Sequence, residues 1–150
     1  MSFVVGTFSV ITNLRMNLGF KLYFEVRDCH HSCVAADSVS TINILGALLS
    51  DSGATHHPGG RHYNAGVVVT ERSAATISRS LLRRHSCAVS VTDADLVLEE
   101  NCVTDVTEDA VTEAGLQLEL GAVYVSRAGN VVIRRNNFHN CGLGEVLLRH

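Results

Sequence analysis

VYVSRAGNVVIRRNNFHNCGLG, residues 123–144, is the stretch that decides the fold. Two short apolar runs, residues 123–125 and 131–133, are followed by the polar pair Asn136-Asn137 and then by Phe138. Short runs of β-branched residues broken by Gly, Asn and Ser are typical of strands rather than helices. The stretch therefore predicts two strands, a polar corner and an inward-facing phenylalanine.

The same spacing recurs upstream, in residues 67–88 and 89–110. Aligning these segments with residues 123–144 gives a first apolar column: Val69, Val91 and Val125. A second column follows 8, 7 and 8 residues later: Ile77, Leu98 and Ile133. A third follows 5 residues later in every copy: Leu82, Val103 and Phe138. An earlier copy is Ala36, Ile44 and Leu49, and a weaker one is Phe24 followed by Cys29.

Self-similarity at a period of 20–50 residues is the signature of a solenoid. One coil cannot bury its own apolar face, whereas stacked coils bury a shared one. The single proline, Pro58, lies outside every predicted strand, as strands require. The repeat therefore predicts an all-β stack in which the three columns line the core. The alternative is a β-sandwich with irregular strands.

Residues 130–138, NVVIRRNNF, resemble the right-handed parallel β-helix repeat of the pectin-lyase-like superfamily, with weaker similarity at 96–103 and 76–82. Members of that superfamily place Asn at the corner after a strand, where it tolerates a left-handed backbone and its amides stack along the axis. Asn101 and Asn136 share that column here, and Ser80 occupies it one coil earlier. The resemblance spans about residues 20–150. It implies a right-handed parallel β-helix of about five coils and an exported or surface protein, similar to the surface proteins related to fibrocystin.

Length and composition set the domain organisation. The chain has 150 residues, with 46% apolar and 18% charged residues, no Trp and a net charge of −3. These values predict one domain over residues 1–150 and exclude a disordered chain. They also supply no basic surface for nucleic acid. We expect residues 1–19 to form an N-terminal cap, and the sequence shows no secretory leader and no membrane span. Residues 145–150 read as a strand of a further coil, which predicts either end-to-end association or a longer parent chain.

Two insertions interrupt the repeat at the same phase. The repeats begin at Cys33, Val67, Val89 and Val123, so successive repeats begin 34, 22 and 34 residues apart. About a dozen extra residues therefore enter at 55–66 and again at 111–122. Insertions at one phase should leave one face of the solenoid, about 10 Å apart. They predict a groove with a His-rich wall (His56, His57, Arg61, His62, Tyr63), an acidic wall (Glu108, Asp109, Glu113, Glu119) and a floor (Ser86, Cys87, Ala88).

Imidazole beside carboxylate suits acid–base chemistry or metal binding. The candidate catalytic residues are therefore His57, His62, Asp109 and Glu113, and the candidate ligand-binding residues are Arg61, Tyr63, Glu108 and Tyr124. The alternative is a pair of solvated insertions without a catalytic role, since repeat arrays tolerate insertions at turns. No catalytic motif of the superfamily's polysaccharide lyases matches this chain. If the groove is that of a lyase, the resemblance implies calcium as its cofactor.

The segment CHHSC, residues 29–33, is a second cluster of reactive side chains. Cys29, His30, His31 and Cys33 are weak candidate metal ligands, because their spacing matches no common zinc module. The alternative is a plain turn. Five cysteines is an odd count, which indicates no disulfide framework, although the spacing permits one Cys29–Cys33 bridge.

The aligned coils also predict ion pairs between neighbours, Glu99 with Arg134 and Glu100 with Arg135. Such exposed pairs contribute at most about 1 kcal/mol each. Taken together, the sequence predicts a structural or carbohydrate-binding β-helix segment that binds a polysaccharide or glycan. The first alternative is a polysaccharide lyase, hydrolase or epimerase acting in the groove. The second is a metal-binding module.

Overall fold

The computed structural model describes residues 7–9, 14–15, 21–22, 24–29, 32–52, 65–106, 121–142 and 144–149. Every regular element in these ranges is a strand. None of the described residues forms a helix long and apolar enough to cross a membrane.

The strands form three stacked sheets and one small hairpin. The first sheet contains β1 (Thr7–Ser9), β4 (Phe24–Cys29), β7 (Ala47–Ser52), β10 (Leu81–His85), β13 (Cys102–Val106) and β16 (Asn137–Cys141). The second contains β5 (Val34–Ala36), β8 (Ala65–Val69), β11 (Cys87–Thr92), β14 (Val123–Ser126) and β17 (Val146–Arg149). The third contains β6 (Thr41–Leu45), β9 (Ala74–Ser78), β12 (Asp95–Glu99) and β15 (Val131–Arg134). The hairpin joins β2 (Leu14–Arg15) to β3 (Lys21–Leu22).

From β4 onward the chain visits the first, second and third sheets in turn, and each strand pairs in parallel with its equivalent in the next coil. This is a parallel β-helix of four to five coils. The predicted fold class is confirmed, and the β-sandwich alternative is wrong because neighbouring coils pair in parallel rather than as antiparallel hairpins.

The register confirms the predicted apolar columns. Val91 pairs with Val69 on one side and with Val125 on the other. Leu98 lies between Ile77 and Ile133, and Val103 lies between Leu82 and Phe138. These side chains point inward and belong to one continuous core cluster. Because the tube is narrow, mostly Val, Ile, Leu and Ala fill it, and Phe24 and Phe138 pack against this core near the two ends of the stack.

The first coil is shifted relative to the prediction. Val26, rather than Phe24 or Cys29, is the residue that pairs with Leu49 in the third column. Val34, rather than Cys33, is the residue that pairs with Val67. The prediction was wrong because the step of five residues from Phe24 to Cys29 imitates the step between columns, whereas Cys29 pairs with Ser52, beyond the third column.

The boundaries of both insertions also differ from those predicted. Ala65 and Gly66 belong to β8, so the connection from β7 to β8 spans residues 53–64. The connection from β13 to β14 spans residues 107–122.

A side-chain ladder follows the corner at which the third sheet turns into the first. The amide of Ser80 donates to Asn101 Oδ1 at 3.0 Å, and the amide of Asn101 donates to Asn136 Oδ1 at 2.9 Å. Asn101 Nδ2 also donates to the carbonyl oxygen of Ile77 at 2.9 Å. The predicted stacking of the corner amides is therefore correct.

The left-handed residue at this corner is not the asparagine. It is the residue before the ladder position: Gly46, Arg79, Glu100 and Arg135, with φ of 63°, 49°, 56° and 55°. The prediction was wrong on this point because Asn101 must face inward to reach the neighbouring backbone. The sharp turn therefore falls on the preceding residue, whose side chain faces solvent in the Arg and Glu cases.

Ion pairs run along the same corner. Arg134 Nη2 lies 2.9 Å from Glu99 Oε2, and Arg135 Nη2 lies 3.3 Å from Glu100 Oε1. Both predicted pairs are confirmed. Glu100 is also paired with Arg79 at 3.1 Å, and Arg135 also contacts Glu99.

At the N-terminal edge of the first sheet, β1 pairs antiparallel with β4. This is the edge that residues 1–19 are expected to cap. The other residues of that expected cap, apart from β2, lie outside the described ranges.

Candidate functional site

The corner between the first and second sheets carries both insertions. The strands that enter it are in register, since Ser52 of β7 pairs with His85 of β10. The strands that leave it are also in register, since Ala65 of β8 pairs with Cys87 of β11. Only Ser86 separates β10 from β11 at this corner. The two insertions are thus anchored at the same corner, two strand spacings or about 10 Å apart.

The residues predicted to form the walls lie outside the described ranges. They are His56, His57, Arg61, His62, Tyr63, Glu108, Asp109, Glu113 and Glu119. Their catalytic and binding roles stay predictions. His30 and His31, which connect β4 to β5 at this same corner, also lie outside the described ranges.

The predicted floor is mostly interior. Ser86 is half-buried, but Cys87 and Ala88 are fully buried. Cys87 Sγ lies 3.3 Å from the carbonyl oxygen of Val89, and burial raises the pKa of this thiol to about 12. A neutral, buried thiol is a packing group rather than a nucleophile.

Tyr124, a predicted ligand-binding residue, is only 7% exposed. It packs with Ala65 and Cys87 in a small cluster separate from the main core, with Val68 and Leu147 against it. Its ligand-binding role stays a prediction, and the ring face required for stacking on a sugar is largely covered.

Behind this corner lies a buried polar pair that the sequence did not predict. His85 Nδ1 is 2.7 Å from Ser52 Oγ, and His85 Nε2 is 2.9 Å from the carbonyl oxygen of Leu49. Because a carbonyl oxygen can only accept, Nε2 carries the proton. Nδ1 then accepts from the Ser52 hydroxyl.

Burial lowers the pKa of His85 to about 4, so the imidazole is neutral near pH 7. Gly66 of the neighbouring coil allows this placement, because a Cβ there would lie 2.9 Å from His85 Nε2 and 2.8 Å from the carbonyl oxygen of Ala88. The pair links β7 to β10 and is sealed from solvent. Its arrangement stabilises the corner rather than exposing a base.

The cysteines on either side of residues 30–32, Cys29 and Cys33, are also buried. Cys33 Sγ donates to the carbonyl oxygen of Ser50 at 3.6 Å and lies 3.7 Å from that of Val26. Burial, reinforced by the neighbouring Cys29, raises the pKa of Cys33 well above its usual range. Within the described ranges no three His, Cys, Asp or Glu side chains converge on one point. The metal-site prediction for Cys29, His30, His31 and Cys33 stays untested because both histidines lie outside those ranges.

A charged pair marks the solvent rim of the corner. Arg84 donates from Nε and Nη2 to the two carboxylate oxygens of Asp51, at 2.5 and 2.6 Å. This pairing lowers the pKa of Asp51 to about 2 and raises that of Arg84. Asp105, in the next coil along, has a lowered pKa because Asn140 Nδ2 donates to it at 2.8 Å. Both carboxylates are stabilised in the ionised form, which is the opposite of what a general acid requires.

An open notch lies at a different corner, between the second and third sheets. It encloses about 350 Å³ and is lined by Ser38, Val39, Glu71, Arg72 and Asp93. Glu71 Oε2 accepts hydrogen bonds from both the amide and the hydroxyl of Ser38, at 3.1 Å each. The notch adjoins the outer face of the third sheet and combines polar groups with an exposed apolar side chain, Val39.

Comparisons of the chain with known protein families, curated proteins and solved structures find no match.

Proposed function

We propose that the chain is a structural parallel β-helix segment that binds carbohydrate without transforming it. The observation that supports this best is the uninterrupted parallel register from β5 to β17. Such a stack is stabilised by nearest-neighbour contacts and presents long, rigid surfaces suited to binding extended molecules.

The charged groups of the described residues support a scaffold role. Asp51 pairs with Arg84, and Glu99 and Glu100 pair with arginines of neighbouring coils. Each pair links one coil to the next. These groups are therefore already used in holding coils in register.

The binding surface we propose is the outer face of the third sheet together with the adjoining notch. Three outward columns cross this face. The first two are mainly small or polar: Thr41, Ala74, Asp95 and Asn130, then Asn43, Thr76, Val97 and Val132. The third contains Leu45, Ser78 and the ion pair of Glu99 with Arg134. Sugar hydroxyls are bound by carboxylate, amide and guanidinium groups, and Glu71, Arg72 and Asp93 supply the charged ones at the notch.

The resemblance of residues 130–138 to the pectin-lyase-like repeat supports the same proposal. It favours a right-handed helix, placement outside the cell or at its surface, and an acidic or neutral polysaccharide as the ligand class. The most specific form of the proposal is that the chain is related to fibrocystin-like surface proteins.

The test is binding of the whole chain to immobilised polyuronides and neutral glucans. The notch variant combines Glu71→Gln with Arg72→Gln. The matched control combines Glu100→Gln with Arg79→Gln, the same residue types at another corner. We expect the notch variant to bind at least several-fold more weakly and the control to bind like the unaltered chain. Equal binding by both variants would move the site elsewhere, and no binding to any glycan would reject the carbohydrate role.

A second candidate function follows from the shared corner of the two insertions. Their anchoring strands are in register, which favours a polysaccharide lyase, hydrolase or epimerase acting between the connections at 53–64 and 107–122. Incubation with polyuronides should then release unsaturated or shortened products. His57→Ala or Asp109→Asn should abolish that release, with Arg79→Gln as an unaffected control. Loss of product formation on chelating calcium would identify the lyase alternative.

A further inference from the structure

Cys29 and Cys33 are two buried free cysteines at the ends of the connection from β4 to β5 in the first coil. Cys29 ends β4, and Cys33 directly precedes β5. Both side chains are buried and belong to the main core cluster. Cys29 Sγ lies 3.5 Å from the carbonyl oxygen of Arg27, and Cys33 Sγ lies 3.7 Å from that of the preceding residue, Val26. Both thiols therefore pack against the same two-residue stretch of β4.

The remaining cysteines cannot reach this pair. Cys141 occupies the same inward column as Cys29 but lies four strands away, about 19 Å. Cys102 lies three strands from β4 on the first sheet, and Cys87 lies two strands from β5 on the second. A disulfide requires Cα atoms within about 7 Å, so neither Cys29 nor Cys33 can be bridged to any of these three, and Cys29 with Cys33 is the pair that remains.

We propose that Cys29 and Cys33 form a modification site that is oxidised to an intramolecular disulfide by a small-molecule disulfide such as oxidised glutathione. The Cys29 thiolate attacks one sulfur of glutathione disulfide and expels one glutathione thiolate. Cys33 then gives up its proton to the expelled glutathione thiolate, and its sulfur attacks the Cys29 sulfur, forms the Sγ–Sγ bond and expels the second glutathione. Two protein thiols are oxidised, one glutathione disulfide is reduced to two thiols, and the two cysteine protons pass to the glutathione thiolates.

Burial controls the rate of this step. Cys29 retains slight exposure whereas Cys33 has none, so Cys29 is the entry point for the reagent. Thiolates rather than thiols react, and Cys33 is held in the thiol form by its surroundings. The folded chain therefore reacts more slowly than the unfolded chain. Once formed, the disulfide ties β4 to β5 at the corner that also carries both insertions.

The direct test is peptide mapping of the whole unaltered chain after equilibration with oxidised glutathione under native conditions. Cleavage after Arg27 and Arg61 releases residues 28–61, which contain Cys29 and Cys33 and no other cysteine. We expect this peptide to be about 2 Da lighter than its reduced form, as loss of two hydrogens requires, and to resist alkylation. Alkylation of both cysteines, or a stable glutathione adduct on one, would overturn the proposal.

Variants supply a second readout. The oxidised chain should melt several degrees higher than the reduced chain, because the bridge restricts the unfolded state. Cys29→Ala and Cys33→Ala should remove that difference, and Cys102→Ala should retain it. A difference that survives Cys29→Ala, or is lost in Cys102→Ala, would contradict the assignment. The mapping of the unaltered chain does not depend on whether either variant folds.

Discussion

The central coil and the last coil contain the same columns but bury them to different degrees. Val91 of β11 is fully buried, whereas Leu148 of β17, two strands along the same column, is 60% exposed. Likewise Leu98 of β12 is fully buried, and Ile133 of β15 is only partly buried. A side chain in a central strand of a sheet is covered by the neighbouring strands on both sides along the axis. A side chain in the last described strand of a sheet is covered by a neighbouring strand on one side only. Position in the stack, more than residue type, therefore sets the energetic value of each side chain.

The largest expected effect tests this comparison directly. Leu98→Ala should lower the free energy of unfolding by about 3.5 kcal/mol, because it leaves a cavity closed on both sides. Leu148→Ala should lower it by less than about 1 kcal/mol, because that side chain is mostly hydrated already. Urea unfolding of both variants measures the difference. Leu45→Ala, an exposed leucine on an outer face, is the control and should change little. Equal losses of stability at Leu98 and Leu148 would show that position in the stack does not determine how much a side chain contributes.

The three columns could be predicted because apolar runs recur at steps that only stacked coils explain. Val26 could not be assigned to the third column, because Cys29 lies at the expected five-residue step from Phe24. Asp28 is left-handed, with φ of 55°, and both Val26 and Cys29 are buried. The neighbouring strand of β7 decides between them. Local alternation shows that a strand exists, while its register depends on contacts between coils.

The candidate site could likewise be predicted only in part. The corner that anchors both insertions could be predicted, since it requires only the phase of the repeat. His85 could not, because LLRRH reads as a strand that ends in solvated residues. Its burial depends on Ser52 and Gly66, which lie 33 and 19 residues earlier in the sequence. Asn101 could be predicted because its partner Asn136 has the same residue type in the same column.

The second prediction contrasts a central and a terminal histidine. Folded His85 stays neutral down to about pH 4, whereas the unfolded chain takes up that proton near 6.5. Between these values the unfolded state binds more protons, so stability should fall as pH falls from about 6.5 to 4. The loss should reach about 2–3 kcal/mol, and above pH 6.5 the contribution is complete.

Urea unfolding from pH 7 to 4.5 tests this, with His85→Gln as the variant and His139→Gln as the matched control. His139 is an exposed histidine of β16, so its replacement controls for the loss of a histidine as such. His85→Gln should flatten the slope. An unchanged slope in His85→Gln would mean that His85 does not titrate as its burial requires.

The third prediction applies the comparison between central and terminal positions to polar side chains. Asn101→Ala should lower the free energy of unfolding by about 2 kcal/mol, because it leaves buried backbone groups of Ser80 and Ile77 without partners. Asn136→Ala should have about half that effect, since Asn136 is only partly buried and water can replace its contacts. Thermal unfolding of the two variants measures the ratio. A ratio near one would show that the ladder works independently of depth in the stack.

The smallest expected effect on stability is that of the corner ion pairs, where central and terminal positions should contribute equally. Arg79 pairs with Glu100 within the central coils, and Arg135 pairs with the same glutamate at the last coil. The arginine side chains are equally exposed, at 61% each. Arg79→Gln and Arg135→Gln should therefore each lower stability by less than about 1 kcal/mol, and 1 M salt should remove most of the difference. A larger, salt-resistant loss for Arg79 alone would show that stacking strengthens exposed pairs as well as buried ones. Position would then matter even where both side chains are hydrated.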